Sequence, residues 1–292
     1  NYSYYKGKHE SLYTICDECG FIGGKRLLKE RLLYPSLDPE ILQKRYDKIE
    51  LCMKDDYYTQ LKDNLSKLSD TERSLRKMGL GVLGRDGFLN TKLSYDFIIR
   101  IVNTIQKNSE LFELYDEYSD SLETFREFHN YIHTIFNFRN FVKTDEPYFN
   151  DGIYEELDEV AKTIHTSKLH LETICSRLSN IIDPKKGGCK FDKNDKIGYF
   201  LFCTKNRSKT LLNRFKNIPD HCINVRDENG NIIYKLACDS FTFSTKDGSN
   251  VFVETPEIKQ LTKQLAISSV KLKELNEQYW AQIMNDIYKR YK

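Results

Sequence analysis

The residues with the chemistry for catalysis or binding fall into a few groups. Gly20-Phe21-Ile22-Gly23-Gly24-Lys25-Arg26 has the glycines and lysine of a phosphate-cradling loop. It is one residue short of that motif, and Arg26 stands where a Mg²⁺-binding Ser or Thr is required. The glycines therefore read as a turn or a close approach between helices. Cys16 and Cys19 form a lone Cys-x-x-Cys with no second pair in the chain, half of the four-ligand set that a structural zinc takes. His129 and His133 lie four apart and share one helix face, but Asn130 occupies the position where a zinc-protease helix needs Glu. Their neighbours Phe128, Tyr131, Ile132 and Phe136 point instead to aromatic helix packing. Glu155, Glu156, Asp158 and Glu159 fall at the start of an expected helix, where acidic residues are the default. No Ser/His/Asp or Cys/His arrangement completes a nucleophilic site. No catalytic residue, metal site or cofactor site is expected in this segment.

The cations are more informative. Net charge is only +2, yet ten Lys and Arg (185, 186, 190, 193, 196, 205, 207, 209, 214 and 216) lie between Pro184 and Lys216. Against the two carboxylates Asp192 and Asp195 this gives +8, leaving −6 for the rest of the chain. Lys205, Arg207, Lys209, Arg214 and Lys216 alternate with the small donors Asn206, Ser208 and Thr210. Cations and small polar donors suit phosphate oxygens, which fix a nucleic acid in place without reporting its sequence. Lys246 on a neighbouring turn is a weaker candidate for the same role. A solvated charged loop accounts for the same composition equally well. Tyr199 and Phe200 serve either as strand core or as stacking platforms.

These residues need elements to position them. Apolar residues at 153, 157, 160, 164, 171, 174, 178 and 182 predict a long helix from Gly152 to Ile182, with Asp151 at its N-cap. Asp183-Pro184 ends it, because the residue before proline avoids the helical region. A second long helix runs from Pro256 to the C-terminus on apolar positions 258, 261, 265, 272, 275, 279, 283 and 287, capped by Thr255. Between them the period shifts to strands at Ile197 to Cys203, Cys222 to Val225, Ile232 to Cys238, Phe241 to Phe243 and Val251 to Val253. Asn229-Gly230 and Asp247-Gly248 supply turns. From Glu40 to Glu146 the chain has no proline, and several helices are expected there, with Gly79, Gly81, Gly84 and Gly87 marking the clearest break. The resulting class is mainly α: an elongated helical stalk with an inserted antiparallel β unit at its tip.

Composition agrees. A chain of 292 residues with 39% hydrophobic and 30% charged residues can bury a real core. Eight scattered cysteines imply a reducing, intracellular setting rather than a disulfide framework. No apolar run approaches the roughly 20 residues of a membrane span, so no membrane partner is expected. Beginning at Asn1 without a leader, the chain reads as a segment of a longer or processed protein.

Several stretches resemble the core of the MutS family of DNA mismatch-repair proteins. Gly24-Lys25-Arg26-Leu27-Leu28, then Leu32, Pro35, Leu37-Asp38, Ile41, Arg45, Asp47 and Ile49, is similar to the opening of that core. Asp70-Thr71-Glu72-Arg73 with Leu75, Arg76 and Gly79 resembles its Asp-x-Glu-Arg helix. Phe149-Asn150-Asp151-Gly152, with Glu156-Leu157-Asp158-Glu159 after it, resembles the entry to the clamp. Ile197-Gly198-Tyr199-Phe200 is similar to the first clamp strand, and Phe241 to Leu261 to the exit into a returning helix. The resemblance implies a core and lever over residues 1–150, a clamp over 151–255 and a returning lever helix over 256–292. It implies double-stranded DNA as partner, gripped through its backbone, and a MutS-like partner subunit in a dimeric parent protein. ATP and Mg²⁺ would belong to an ATPase domain of the parent. Pro184 to Lys196 and Asn213 to His221 read as extra loops in an enlarged clamp. A clamp for recombination junctions, within the family, and a helical scaffold whose basic tip docks an acidic protein or RNA, outside it, are the alternatives.

Overall fold

The two apolar stripes of the sequence both form the long helices expected of them. The computed structural model describes residues 11–54, 57–107, 111, 119–143, 145–185, 187–194 and 196–291. Lys186 and Asp195 of the basic stretch lie outside these. The fold is mainly α-helical and divides into two units, one of the described residues up to Val142 with those from Tyr279 on, the other Lys143–Gln278.

In the first unit α1 (Leu12–Cys16), α2 (Ile22–Leu33), α3 (Pro39–Met53), α4 (Tyr57–Leu65), α5 (Thr71–Gly79), α6 (Arg85–Gln106) and α7 (Ser119–Ile135) follow one another. Asp38 caps α3 by accepting from the Glu40 and Ile41 amides, with Pro39 at the first helical position. Asp70 caps α5, and the Arg26 guanidinium of α2 pairs with both Asp70 and Glu72. The two amino-terminal motifs thus meet in one ion-pair cluster. Gly23, Gly24 and Lys25 are helical within α2, and the Lys25 ammonium bonds Asp17 at 3.0 Å, so this stretch is no phosphate loop. Gly20 is the close approach: a Cβ there would sit 3.1 Å from the Ser66 backbone. The interior is aromatic. Phe88 packs edge-on against Trp280 at 5.5 Å, with Phe136 and Phe141 around the same indole. The indole N–H donates to the Leu83 carbonyl at 3.2 Å, which satisfies its one buried donor.

The second unit starts from α8 (Glu155–Ile182). Leu157, Val160, Ile164, Ser167, Leu171, Ile174, Cys175, Leu178 and Ile182 are buried, a stripe repeating every three to four residues. The expected N-cap at Asp151 is corrected: Tyr154 holds that position without a side-chain bond. Gly152 at φ +84° turns the chain first, leaving Ile153 exposed outside the helix, and Asp158 reaches back to accept from the Gly152 amide at 2.8 Å. A four-stranded antiparallel sheet follows in the order β1 (Cys189–Asn194), β2 (Gly198–Thr204), β6 (Asn250–Glu254), β5 (Thr242–Thr245). β3 (Cys222–Arg226) and β4 (Ile232–Ala237) form a separate hairpin whose turn closes through Asp227, with Gly230 at φ +84°. The core face of the larger sheet carries Cys189, Leu201, Cys203, Val251 and Val253.

Two expectations about this region are corrected. Residues 189–194 are not an extra loop but edge strand β1, hidden in the sequence because Lys190, Asp192 and Lys193 replace the apolar alternation, as edges often do. The expected extra loop from Asn213 to His221 is corrected at its start, because Asn213 to Phe215 end helix α9 (Lys205–Phe215). That helix also removes the solvated-loop alternative for this part of the basic stretch. Thr204 accepts from the Arg207 amide as N-cap, and Lys, Arg and Leu are strong helix formers. Phe215, Ser208 and Leu211 form its buried face. The final helix α10 (Pro256–Tyr291) begins as expected, with the Thr255 hydroxyl accepting from the Ile258 amide at 3.2 Å. Buried Asn276 donates to the Glu146 carbonyl and accepts from the Tyr148 amide, both at 3.1 Å, which fastens the start of this unit to the helix.

Candidate nucleic-acid interface

Because Lys205 to Lys216 is helical through Phe215 with Lys216 at its C-cap, the candidate cations are sorted by helical period. Lys205 and Lys209 are four apart, and Lys209 and Lys216 seven apart, so these three lie along one flank. Arg207 and Arg214, also seven apart, lie along the other. The arrangement is therefore not one basic tip but two flanks separated by the buried face. Lys205, Lys209 and Lys216 are exposed, and among the described residues none of them pairs with a carboxylate. Arg214 is engaged by the protein: its Nη1 donates to the Ile181 carbonyl at 2.8 Å, satisfying an orphan acceptor in the last turn of α8. Arg207 is half-buried, and its charge acts on Cys203, where burial pushes the thiol up to about 11 against that opposing influence.

Two further cations, Lys193 within the stretch and Lys246 outside it, also contact the protein. Lys246 lies 3.7 Å from the Phe202 ring centre and 4.9 Å from that of Phe200, on the face of β2 opposite the core. Lys193 bonds both oxygens of Asp145, at 2.9 and 2.8 Å, and the Tyr199 hydroxyl donates to the same carboxylate at 2.7 Å. Burial alone would raise the Asp145 carboxyl, but the Lys193 and Tyr199 bonds and the Lys193 and Lys168 charges hold it below the usual value. Tyr199 and Phe200 are both buried, so they belong to the strand packing rather than to a stacking platform.

A second basic feature was not legible in the sequence. Thr173, Ser176, Arg177 and Asn180 repeat as i, i+3, i+4 and i+7 on the polar side of α8 and line a recess of about 360 Å³ with Asn224 and Arg226 of β3. Two guanidinium groups, two hydroxyls and two amides face this space, and among the described residues no carboxylate lines it. Arg226 is oriented by donating to the Gly230 carbonyl at 2.7 Å. The cue was present only in halves, a polar stripe on a helix and alternate outward positions on a strand. Nothing in either half says that the two elements pack together.

Two of the four carboxylates at the start of α8 have structural partners. Asp158 caps the turn at Gly152, and Glu156 pairs with Lys271 at 2.8 Å. His129 and His133 do sit on the aromatic helix expected of them, with Phe128, Ile132 and Phe136 buried, and Asp96 of α6 lies against both imidazoles. Cys16 and Cys19 are free thiols, as are the six other cysteines. Among the described residues no helix is long and apolar enough to cross a membrane.

This is a helical protein in which an antiparallel sheet is set between two long helices and presents cations on a helix and a recess beside it. The chain belongs to the MutS domain III family, whose model matches residues 2–291. It is 25% identical over 295 residues to a putative DNA mismatch repair protein mutS homolog of Acanthamoeba polyphaga mimivirus, covering 95% of this chain and 25% of that relative. The DNA mismatch repair protein MutS of Leptospira interrogans is 36% identical over 114 residues, 33% of this chain and 13% of its own length. That of Rhizobium meliloti is 25% identical over 205 residues, 69% and 22% respectively. The chain thus spans at most about a quarter of the length of these relatives.

Proposed function

We propose that this chain is the lever-and-clamp portion of a MutS-like mismatch-repair protein and grips duplex DNA through its backbone, without base specificity and without a catalytic step of its own. The observation that carries the reading is the lysine flank of α9. Lys205, Lys209 and Lys216 are presented by one short helix, which the buried Ser208, Leu211 and Phe215 on the adjacent face hold in place. A row of point charges with no carboxylate among them suits phosphates, and a rigid helix fixes their spacing. The α8–β3 recess adds the bidentate donors Arg177 and Arg226 to the same role. The long helices α8 and α10 are the parts suited to transmit the grip to an ATPase domain of the parent protein. There ATP and Mg²⁺ would act and a MutS-like partner subunit would complete the dimer.

The test is binding to duplex DNA across a salt series, beside a variant with Lys205, Lys209 and Lys216 changed to Ala. The expected result is a steep salt slope that falls by about 0.9 for each phosphate contact removed and is the same for matched and mismatched duplexes. A slope that the variant leaves unchanged overturns the assignment. Retention of an acidic protein or RNA in preference to duplex DNA would give the flank to that other class of partner.

A further inference from the structure

The polar cluster between α6 and α7 has no part in the proposed DNA grip. Asp96 comes from α6, and His129 and His133, one turn apart, come from α7. Asp96 Oδ1 lies 2.8 Å from His129 Nε2 and 3.7 Å from His133 Nε2, and the candidate ligand atoms all fall within 4.8 Å of one another. A tetrahedral ion with bonds of about 2.1 Å holds its ligand atoms about 3.4 Å apart, so the two measured separations bracket the required one. The imidazoles are already set for this: their ring centres are 4.6 Å apart, and the His133 ring is held by Phe138 at 5.2 Å. The carboxylate is held as well. Lys92, one turn earlier on α6, bonds Asp96 Oδ2 at 2.6 Å, which leaves Oδ1 for the ion and orients it from behind.

We propose that Asp96, His129 and His133 form a site for a borderline transition-metal dication such as Zn²⁺, with solvent in the remaining position. Two imidazoles and one carboxylate select this class over Mg²⁺ or Ca²⁺, which take all-oxygen sets. The His133 side chain is 41% exposed, which gives the ion a path from solvent and room for water as the fourth ligand. On binding, the contact between Asp96 Oδ1 and His129 Nε2 is replaced by the two metal bonds, and Nε2 gives up its proton, to Nδ1 where that is vacant and otherwise to solvent. The ion joins Asp96 to the two imidazoles through three bonds, where the Asp96–His129 hydrogen bond joined them before.

The experiment is titration of the 292-residue chain with Co²⁺, read by its visible d–d bands, followed by displacement with Zn²⁺. His133→Ala is the main variant, because that side chain is exposed and its loss leaves the helix intact, which circular dichroism checks. Asp96→Asn is the second, and Cys16→Ser with Cys19→Ser is the control for the competing thiols. The expected result is a nitrogen and oxygen spectrum without a thiolate charge-transfer band. Affinity should drop roughly tenfold or more in His133→Ala and Asp96→Asn and stay unchanged in the cysteine variant. Mg²⁺ in excess should not compete. The proposal is overturned if folded His133→Ala binds as the parent chain does, if the signal disappears with the cysteines, or if the folded chain takes up no Co²⁺.

Discussion

The lysines of α9 and the arginines beside α8 are two cationic surfaces of one unit, reached by opposite routes. The first is dense along the chain, five cations between Lys205 and Lys216, and the helical period disperses it over two flanks. The second is sparse along the chain, with Arg177 and Arg226 on different elements, and packing brings it into one recess. Charge density in sequence is therefore a poor measure of charge density in space. Period and tertiary pairing decide which cations act together, and backbone carbonyls and carboxylates decide which remain available. Arg214 and Lys193 are taken up by the protein itself, through Ile181 and Asp145, whereas among the described residues Lys205, Lys209 and Lys216 pair with no carboxylate.

The largest effect expected from breaking this comparison is at Leu211, which is fully buried under α9. Leu211→Ala should cost about 2–5 kcal/mol, because a large core side chain is lost and the cavity relaxes only in part. An eleven-residue helix is too short to persist without tertiary packing. Chemical denaturation should show the loss, and the salt slope for DNA should drop with it as the lysine flank loses its support. A destabilised protein with an undiminished slope would mean that the lysines do not need their helix.

Next in size is the contrast between the two surfaces themselves. Changing the three lysines together should reduce the salt slope by about 2.7, and Arg177→Ala with Arg226→Ala by about 1.8, at about 0.9 per phosphate. Equilibrium binding over a salt series separates the two sets. If the arginine pair changes nothing, the recess is a surface feature, and the chain-dense surface alone does the binding.

How much of this was readable beforehand follows the same division. The long helices were legible because Leu157 to Ile182 and Ile258 to Ile287 keep a period of three to four over many turns. The strands at 198–204, 222–226 and 250–254 were legible because β-branched and aromatic residues are bracketed by turn residues. β1 was not, since an edge strand that carries Lys190, Asp192 and Lys193 shows no apolar alternation. Helix α9 was missed because its buried face is only Ser208, Leu211 and Phe215, and the polar residues around them suggest a loop as readily. The five cations are legible as a cluster along the chain, but the separation of the lysines from Arg207 and Arg214 depends on that helix. The recess and the Asp96 cluster each needed two elements far apart in the chain to be placed side by side, which local pattern does not supply.

A smaller effect is expected where a cation is held by the protein. Asp145 has a carboxyl lowered from its ordinary value despite burial, through Lys193 and Tyr199. A carboxyl lower in the folded than in the unfolded state contributes stability above the unfolded value, about pH 4, and loses it as pH falls through the folded value. Asp145→Asn should therefore destabilise the protein at neutral pH by on the order of 1 kcal/mol, since Lys193 is exposed enough for solvent to screen the pair. The gap between the two melting curves should narrow as the pH drops below about 4. A gap independent of pH would show that the carboxylate charge is not what Lys193 is held by.

The smallest effect is also the most discriminating, because it sets two neighbouring cations against each other. Arg214 donates to the last turn of α8, whereas Lys216, two positions on, points along the other flank with no partner among the described residues. Arg214→Ala should lower stability by about 1 kcal/mol, the usual net worth of one hydrogen bond, and leave the salt slope where it was. Lys216→Ala should do the reverse, leaving stability unchanged and lowering the slope by about 0.9. Should Arg214→Ala lower the slope as well, its guanidinium would reach phosphate while bonded to Ile181. The two flanks of α9 would then grip one duplex together, from both sides of the helix rather than along one.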